Sequence, residues 1–319
     1  MRAARWLMAG FLGLVLLLLA WVAVLVPDRT VAELAPRWAP PPSTFRPIDG
    51  LTVHLRDEGP RDDSLPILLL HGTSASLHTW DGWTADLSRT RRVIRADLPG
   101  FGLTGPDPQD QYDMARYVRF VLALADSLRV TRFDLAGNSL GGEIAWEVAA
   151  RAPDRVRRLV LVDPAGFPIA STAVPLGFRL ARREGLRWLF SRILPRSVVE
   201  SSVRDVYGDP SRITPALVDR YFELTLREGN RRSLPQRFAQ AQPGADTLRL
   251  LEVRAPTLLM WGGQDRLIPP LLAARFRRLL PRSELALYPS LGHVPHEEDP
   301  ASTVRDAARF LSDRPPGGP

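Results

Sequence analysis

The chain contains no cysteine. Disulfides, thiolate metal sites and a cysteine nucleophile are excluded, and the absence fits either redox compartment. It also contains no lysine: arginine supplies all 42 basic residues, against 35 acidic ones, for a balance of +7. The arginines are scattered, and no basic run is interleaved with aromatics, so the charge does not describe a nucleic-acid surface. Such one-sided usage reads as coding bias. The glycine-rich turns lack the Lys-Ser/Thr pair of a phosphate loop, and no His, Asp or Glu cluster has metal-ligand spacing along the chain. Neither a cofactor nor a metal is expected.

Charge is missing again from Trp6 to Val26. As a helix this run spans about 31 Å, close to the roughly 30 Å hydrocarbon core of a bilayer. A buried core helix rarely stays apolar all round for so long. A cleaved signal peptide usually has a shorter apolar region, and no A-x-A site follows this one. Residues 1–26 are therefore read as a transmembrane signal anchor. Arg2 and Arg5 precede the run, whereas Asp28 and Arg29 follow it. The positive-inside rule then places the N-terminus in the cytoplasm and the rest of the chain outside. Residues 27–44 hold Pro27, Pro36, Pro40, Pro41 and Pro42, and are expected to form a stiff, extended linker.

Beyond it the pattern alternates. Two short strand-like runs flank Asp49-Gly50, a hairpin turn signal. The unbroken apolar run Leu65–Leu70 reads as a buried strand of a mostly parallel sheet, ended by His71-Gly72-Thr73-Ser74. Trp80–Leu87 and Tyr112–Leu128 are helical, whereas Arg92–Ala96, Arg132–Gly137 and Arg158–Val162 are strands. Alternation of this kind means a sheet covered by helices on both faces. From Pro164 to Pro256 it stops. Arg179–Leu194, Ser197–Tyr207, Thr214–Gly229 and Leu234–Ala241 read as helices between Pro, Gly and Asp breaks. This insertion, residues 166–249, is expected to cap a core made of residues 45–165 and 250–312. Its aromatics, Trp188, Phe190, Phe178, Tyr207, Tyr221, Phe222 and Phe238, are expected mostly to pack, with a few lining a pocket.

The chemistry concentrates at Gly137-Asn138-Ser139-Leu140-Gly141-Gly142. A strand runs into a turn and then at once into a helix, with Ser139 at the apex: the G-x-S-x-G nucleophile elbow. Glycines at the flanking positions let the backbone cross closely, and the helix N-terminus points free N–H groups toward negative charge forming beside Ser139. Alone the pattern is weak, since any α/β protein can carry a glycine-rich turn. Its partners strengthen it. A serine hydroxyl needs a base, which imidazole supplies near neutral pH, and a carboxylate behind the imidazole fixes its tautomer. Asp265 follows the buried strand at Thr257–Trp261, and His293 lies just past the strand Glu284–Tyr288. The order Ser139, Asp265, His293 is the one that accompanies such an elbow. Oxyanion donors are expected from the backbone N–H groups of Leu140 and Thr73, although the Thr73 turn reads equally as a plain strand end with His71 packed beside it. Rivals are His296 for the base and Asp163, after the earlier strand, for the acid. His54 and His78 read as structural.

His71-Gly72, Asp97-Leu98-Pro99-Gly100-Phe101-Gly102, the elbow, Gly263-Gln264-Asp265 and Gly292-His293 together resemble the α/β-hydrolase fold family, in its cap-bearing, cofactor-free form. The resemblance spans about Phe45 to Leu311. It implies a serine hydrolase and leaves the substrate open among esters, lipids and carbon–carbon bonds of ring-cleavage products. Ser139 argues against epoxide hydrolases and dehalogenases, which use an Asp nucleophile. The Asn138-Ser139 pair resembles the C–C hydrolases. An external, anchored domain fits a small ester or lipid-like substrate better, cleaved through an acyl-enzyme. A non-catalytic ligand-binding module on the same fold is the remaining alternative.

Overall fold

The computed structural model describes residues 26–168, 174–182 and 193–312. Eight strands form its one sheet: β1 Thr44–Ile48, β2 Leu51–Glu58, β3 Ile67–Leu70, β4 Val93–Ala96, β5 Phe133–Asn138, β6 Val156–Val162, β7 Thr257–Gly262 and β8 Ser283–Tyr288. Their order is β1-β2-β4-β3-β5-β6-β7-β8. The β1–β2 and β2–β4 pairs are antiparallel; every later pair is parallel. Asp49 and Gly50 join β1 to β2 with φ of +48° and +80°, the primed turn that a two-residue hairpin needs.

The central strands are apolar on both faces, and alternation sorts their side chains. Leu68, Leu70, Ile94, Leu135, Leu159 and Leu161 point into one buried cluster. Ile67, Leu69, Val93, Ala136, Val160 and Val162 point into the other. The first is closed by α3 (Met114–Ser127) and α4 (Leu140–Arg151); the second by α2 (Asp81–Leu87) and the final helix, Pro300–Leu311. Each fully buried Leu, Ile or Val in these layers contributes about 1.5–3 kcal/mol of transfer free energy. The expected mostly parallel α/β-hydrolase architecture is the one observed.

Four described α-helices lie between β6 and β7: α5 Leu176–Ala181, α6 Arg196–Val206, α7 Pro215–Thr225 and α8 Asn230–Gln240. Much of the first expected cap helix, with Trp188 and Phe190, falls outside the described residues. So does the expected transmembrane run up to residue 25. No described helix is long and apolar enough to cross a membrane.

The extended linker needs correction. Val31–Trp38 is a helix, α1, opened by a reciprocal capping box between Thr30 and Glu33. Leu34 on its inner face packs with Leu103 and Leu224, and the Trp38 indole donates to Glu223 at 2.7 Å. The prolines suggested extension, but the capping box and the buried leucine decide the conformation. Tight hydrogen bonding continues upstream: Arg231 donates twice to Asp28, and Arg29 exchanges backbone hydrogen bonds with Leu226 and Glu228.

Candidate active site

Parallel strands deliver their C-terminal ends to one edge of the sheet, where ligands of open α/β sheets bind. Ser139 stands there between β5 and α4, at φ +55° and ψ −116°. A non-glycine residue rarely adopts that conformation, and it holds only where its surroundings over-determine it. The surroundings are explicit. A Cβ on Gly137 would lie 2.1 Å from the carbonyl oxygen of Gly141, and one on Gly141 would lie 2.2 Å from that of Leu70. The two glycines of the motif are therefore steric requirements. The Ser139 backbone is fixed by its N–H to Val162 and by two N–H donors, Glu143 and Ala165, on its carbonyl.

The carboxylate and the imidazole meet. His293 Nδ1 is 2.7 Å from Asp265 Oδ2, with both residues 4% exposed. Asp265 Oδ1 accepts from the backbone N–H groups of Leu267 and Ile268 at 2.8 and 2.9 Å, so the carboxylate is clamped in place. The histidine loop is tied from three sides. His293 N–H donates to Val206 at the end of α6, the His293 carbonyl accepts from Asn138 Nδ2, and Gly292 N–H donates to Glu298. Neither Asn138 nor Glu298 was singled out from sequence as a partner of this loop.

Ser139 and His293 face one cavity of about 100 Å³, walled by Phe178, Val199, Val203, Leu234 and Leu267. Tyr221 lines it as well, whereas Phe238 lines a second, wider and more polar chamber of about 650 Å³. The second chamber also reaches Ser139, together with Thr73, Leu140, Glu143 and Arg237. Thr73 and Leu140 thus flank the serine, and Leu140, as the first residue of α4, presents an N–H with no partner inside its helix.

The other histidines serve the frame. His71 Nδ1–H donates to the Gly72 carbonyl, and its Nε2 accepts from Leu98 N–H, which pins the turn carrying Thr73. His54 is wholly buried between Asp97 and Ser43 at 2.7 and 2.9 Å. His296 lies against Trp80, the rings tilted by 35° with centres 4.1 Å apart, and is bonded to Thr79, outside both cavities that reach Ser139. Burial, helped by neighbouring His293 and Arg220, holds its imidazole well below the usual range. Asp163 does come to the site, within 4.8 Å of Asp265 and His293. Folding thus creates a three-ligand grouping that the sequence spacing did not suggest. At 2.7 Å, Nδ1 and Asp265 Oδ2 are at hydrogen-bond distance from each other.

Known proteins are similar to this chain across most of their length. The chain is 29% identical over 273 residues to 2-hydroxy-6-oxo-2,4-heptadienoate hydrolase of Pseudomonas putida, covering 82% of this chain and 94% of that one. It is 30% identical over 266 residues to the pimeloyl-[acyl-carrier protein] methyl ester esterase of Nitrosomonas europaea, covering 79% and 97%. The crystal structure of a membrane phospholipase A superposes with a TM-score of 0.73 at 27% identity, covering 95% of this chain and 98% of that one. The family model described as alpha/beta hydrolase fold matches residues 66–300, and the chain belongs to that family.

Proposed function

We propose that the protein is a serine hydrolase that cleaves carboxylic esters through an acyl-enzyme. The observation that carries this reading is the convergence at Ser139. A strained serine at a helix N-terminus shares a cavity with an imidazole whose other nitrogen is already paired with a clamped carboxylate. Ser139 Oγ attacks the ester carbonyl while His293 Nε2 takes its proton, and Asp265 stabilises the imidazolium through Nδ1–H. The oxyanion forms between the N–H groups of Thr73 and Leu140, where loss of one donor typically costs about 3–4 kcal/mol. His293 returns the proton to the departing alcohol, and water then repeats the sequence to release the acid.

The two cavities suit the two halves of such a substrate. The apolar one takes the acyl group, and the polar chamber takes the alcohol. Membrane attachment through the run ending at Val26 belongs to the same proposal, with the domain on the extracytoplasmic side. Asp28 and Arg29, just after that run, are fastened to the cap, so a bilayer there would lie beside the cap and favour a lipid-like ester.

Cleavage of a carbon–carbon bond is the second reading. Similarity to the heptadienoate hydrolase and the Asn138-Ser139 pair favour it. The two are separated by comparing turnover of p-nitrophenyl esters of graded acyl length with turnover of a dienoate. Ser139→Ala is expected to bring either activity to background with the fold intact; unchanged turnover removes Ser139 from the mechanism. If the protein fails to react with a fluorophosphonate and turns over neither substrate, it is a binding module.

A further inference from the structure

Behind the His293 imidazole lie two carboxyl groups where one is needed. Asp163 follows β6 directly and is fully buried. Its Oδ1 accepts from Gly262 N–H at 3.0 Å, whereas its Oδ2, equally buried, accepts from no described residue. An oxygen of its carboxyl lies within 4.8 Å of one on Asp265. Two like charges this close in a dry site repel, so the pair does not hold both. One of the pair therefore carries a proton.

The distribution of donors decides which. Asp265 receives three N–H groups: Leu267 and Ile268 on Oδ1, and His293 Nδ1 on Oδ2. Asp163 receives one. Donors favour the charged form of the group they reach, so the negative charge belongs on Asp265. We infer that Asp163 is a neutral carboxylic acid in the resting protein, donating from Oδ2 to the Asp265 carboxylate, and that it acts as a positioning residue for the Asp265–His293 pair. Burial first, and then the charge of Asp265, push the Asp163 carboxyl well above its ordinary range; Glu298 pushes in the same direction. Asp265, His293 and Glu298 are the titratable groups that face it.

The donated hydrogen bond has two effects. It holds the Asp265 carboxylate aimed at Nδ1, and it shares out the carboxylate's charge, so that Asp265 stabilises the imidazolium less than a bare carboxylate would. The location of the proton is independent of the substrate; only the kinetic arm of the test rests on the ester-hydrolase reading.

Infrared difference spectroscopy of the unreacted full-length protein reads the proton directly. At neutral pH the carbonyl stretch of a protonated carboxyl should be present in the wild type and absent in Asp163→Asn. No such band, or a band removed by Asp265→Asn and not by Asp163→Asn, overturns the inference whether or not any ester is turned over. In kinetics, Asp163→Leu should lower kcat by about 10- to 100-fold, the usual range for a hydrogen bond to a charged group. Asp163→Asn, which keeps a donor, should recover most of that loss. The acidic limb of the pH–rate profile should move to higher pH in Asp163→Leu, because a carboxylate without its donor holds the imidazolium more tightly. If Asp163 is ionised, its removal instead moves that limb to lower pH; a downward or absent shift overturns the inference.

Discussion

Asn138, the residue before the elbow serine, donates from Nδ2 to the backbone carbonyl of His293 at 2.9 Å. The same amide nitrogen donates to the Val162 carbonyl at 3.2 Å. One buried side chain thus fixes the distance between nucleophile and base by holding the loop that carries the base. Asn138→Ala leaves the buried His293 carbonyl without this donor, whereas Val162 keeps the Ser139 N–H; one unmet buried group costs about 1–3 kcal/mol. The expected result is a drop of that order in unfolding free energy by urea titration. It should be accompanied by a roughly tenfold fall in kcat with KM little changed, because ground-state binding does not use this contact. A change in KM alone places Asn138 in substrate binding instead.

The elbow, the parallel sheet and the positions of Asp265 and His293 were legible because each rests on a local steric or periodic rule. The glycines at 137 and 141 announce a backbone crossing, and strands buried on both faces read as unbroken apolar runs. Asn138 and Glu298 were not legible. Asn138 reaches the His293 carbonyl 155 residues away, and Glu298 takes the Gly208 N–H 90 residues away beside the nearer Gly292; main-chain groups leave no mark in composition. The misreading of α1 has another origin. The linker reading followed the five prolines and passed over the Thr30…Glu33 capping pattern, and the contact between Leu34 and Leu224 that favours the helix joins distant parts of the chain.

Glu298 joins the cap to the histidine loop. Its carboxylate accepts from the N–H groups of Gly208 and Asp209, just past α6, and from Gly292, at 3.0, 2.7 and 2.8 Å. Glu298→Ala strands the buried Gly292 N–H and the part-buried N–H groups of Gly208 and Asp209. A loss of about 1–3 kcal/mol in stability is expected, chiefly from the buried Gly292 N–H. Native-state hydrogen exchange should quicken at residues 208–209 and 292–293 while β5 stays protected, and kcat should fall because the imidazole is held less firmly. Exchange that quickens uniformly argues for a general stability role and against a latch between cap and loop.

The last prediction concerns acid stability and turns on His78. Its Nε2–H donates to the Trp38 carbonyl at 2.8 Å and its Nδ1 takes the Ser76 hydroxyl proton at 3.0 Å, so the neutral ring is fully used. Burial pushes its pKa down to about 4, against the pull of Asp97 and Asp81 and with help from Arg220 and Arg56. Between pH 6.5 and 4 the unfolded chain therefore binds a proton at this position that the folded protein refuses. His78 contributes stability in full above pH 6.5, and that contribution is lost as the pH falls toward 4, about 3 kcal/mol in all. His71 and His296, also buried and neutral, act in the same direction, whereas the raised carboxyls of Asp163, Glu143 and Glu147 act against them. The wild-type curve alone is thus ambiguous, and the difference from a variant isolates the effect. His78→Gln keeps an amide donor for Trp38 and cannot titrate. Chemical denaturation at pH 7.5 and at pH 4.5 should show the variant losing less stability on acidification than the wild type. Parallel losses in the two proteins mean that His78 is protonated in the folded state and that the hydrogen bonds to Trp38 and Ser76 do not exclude the second proton.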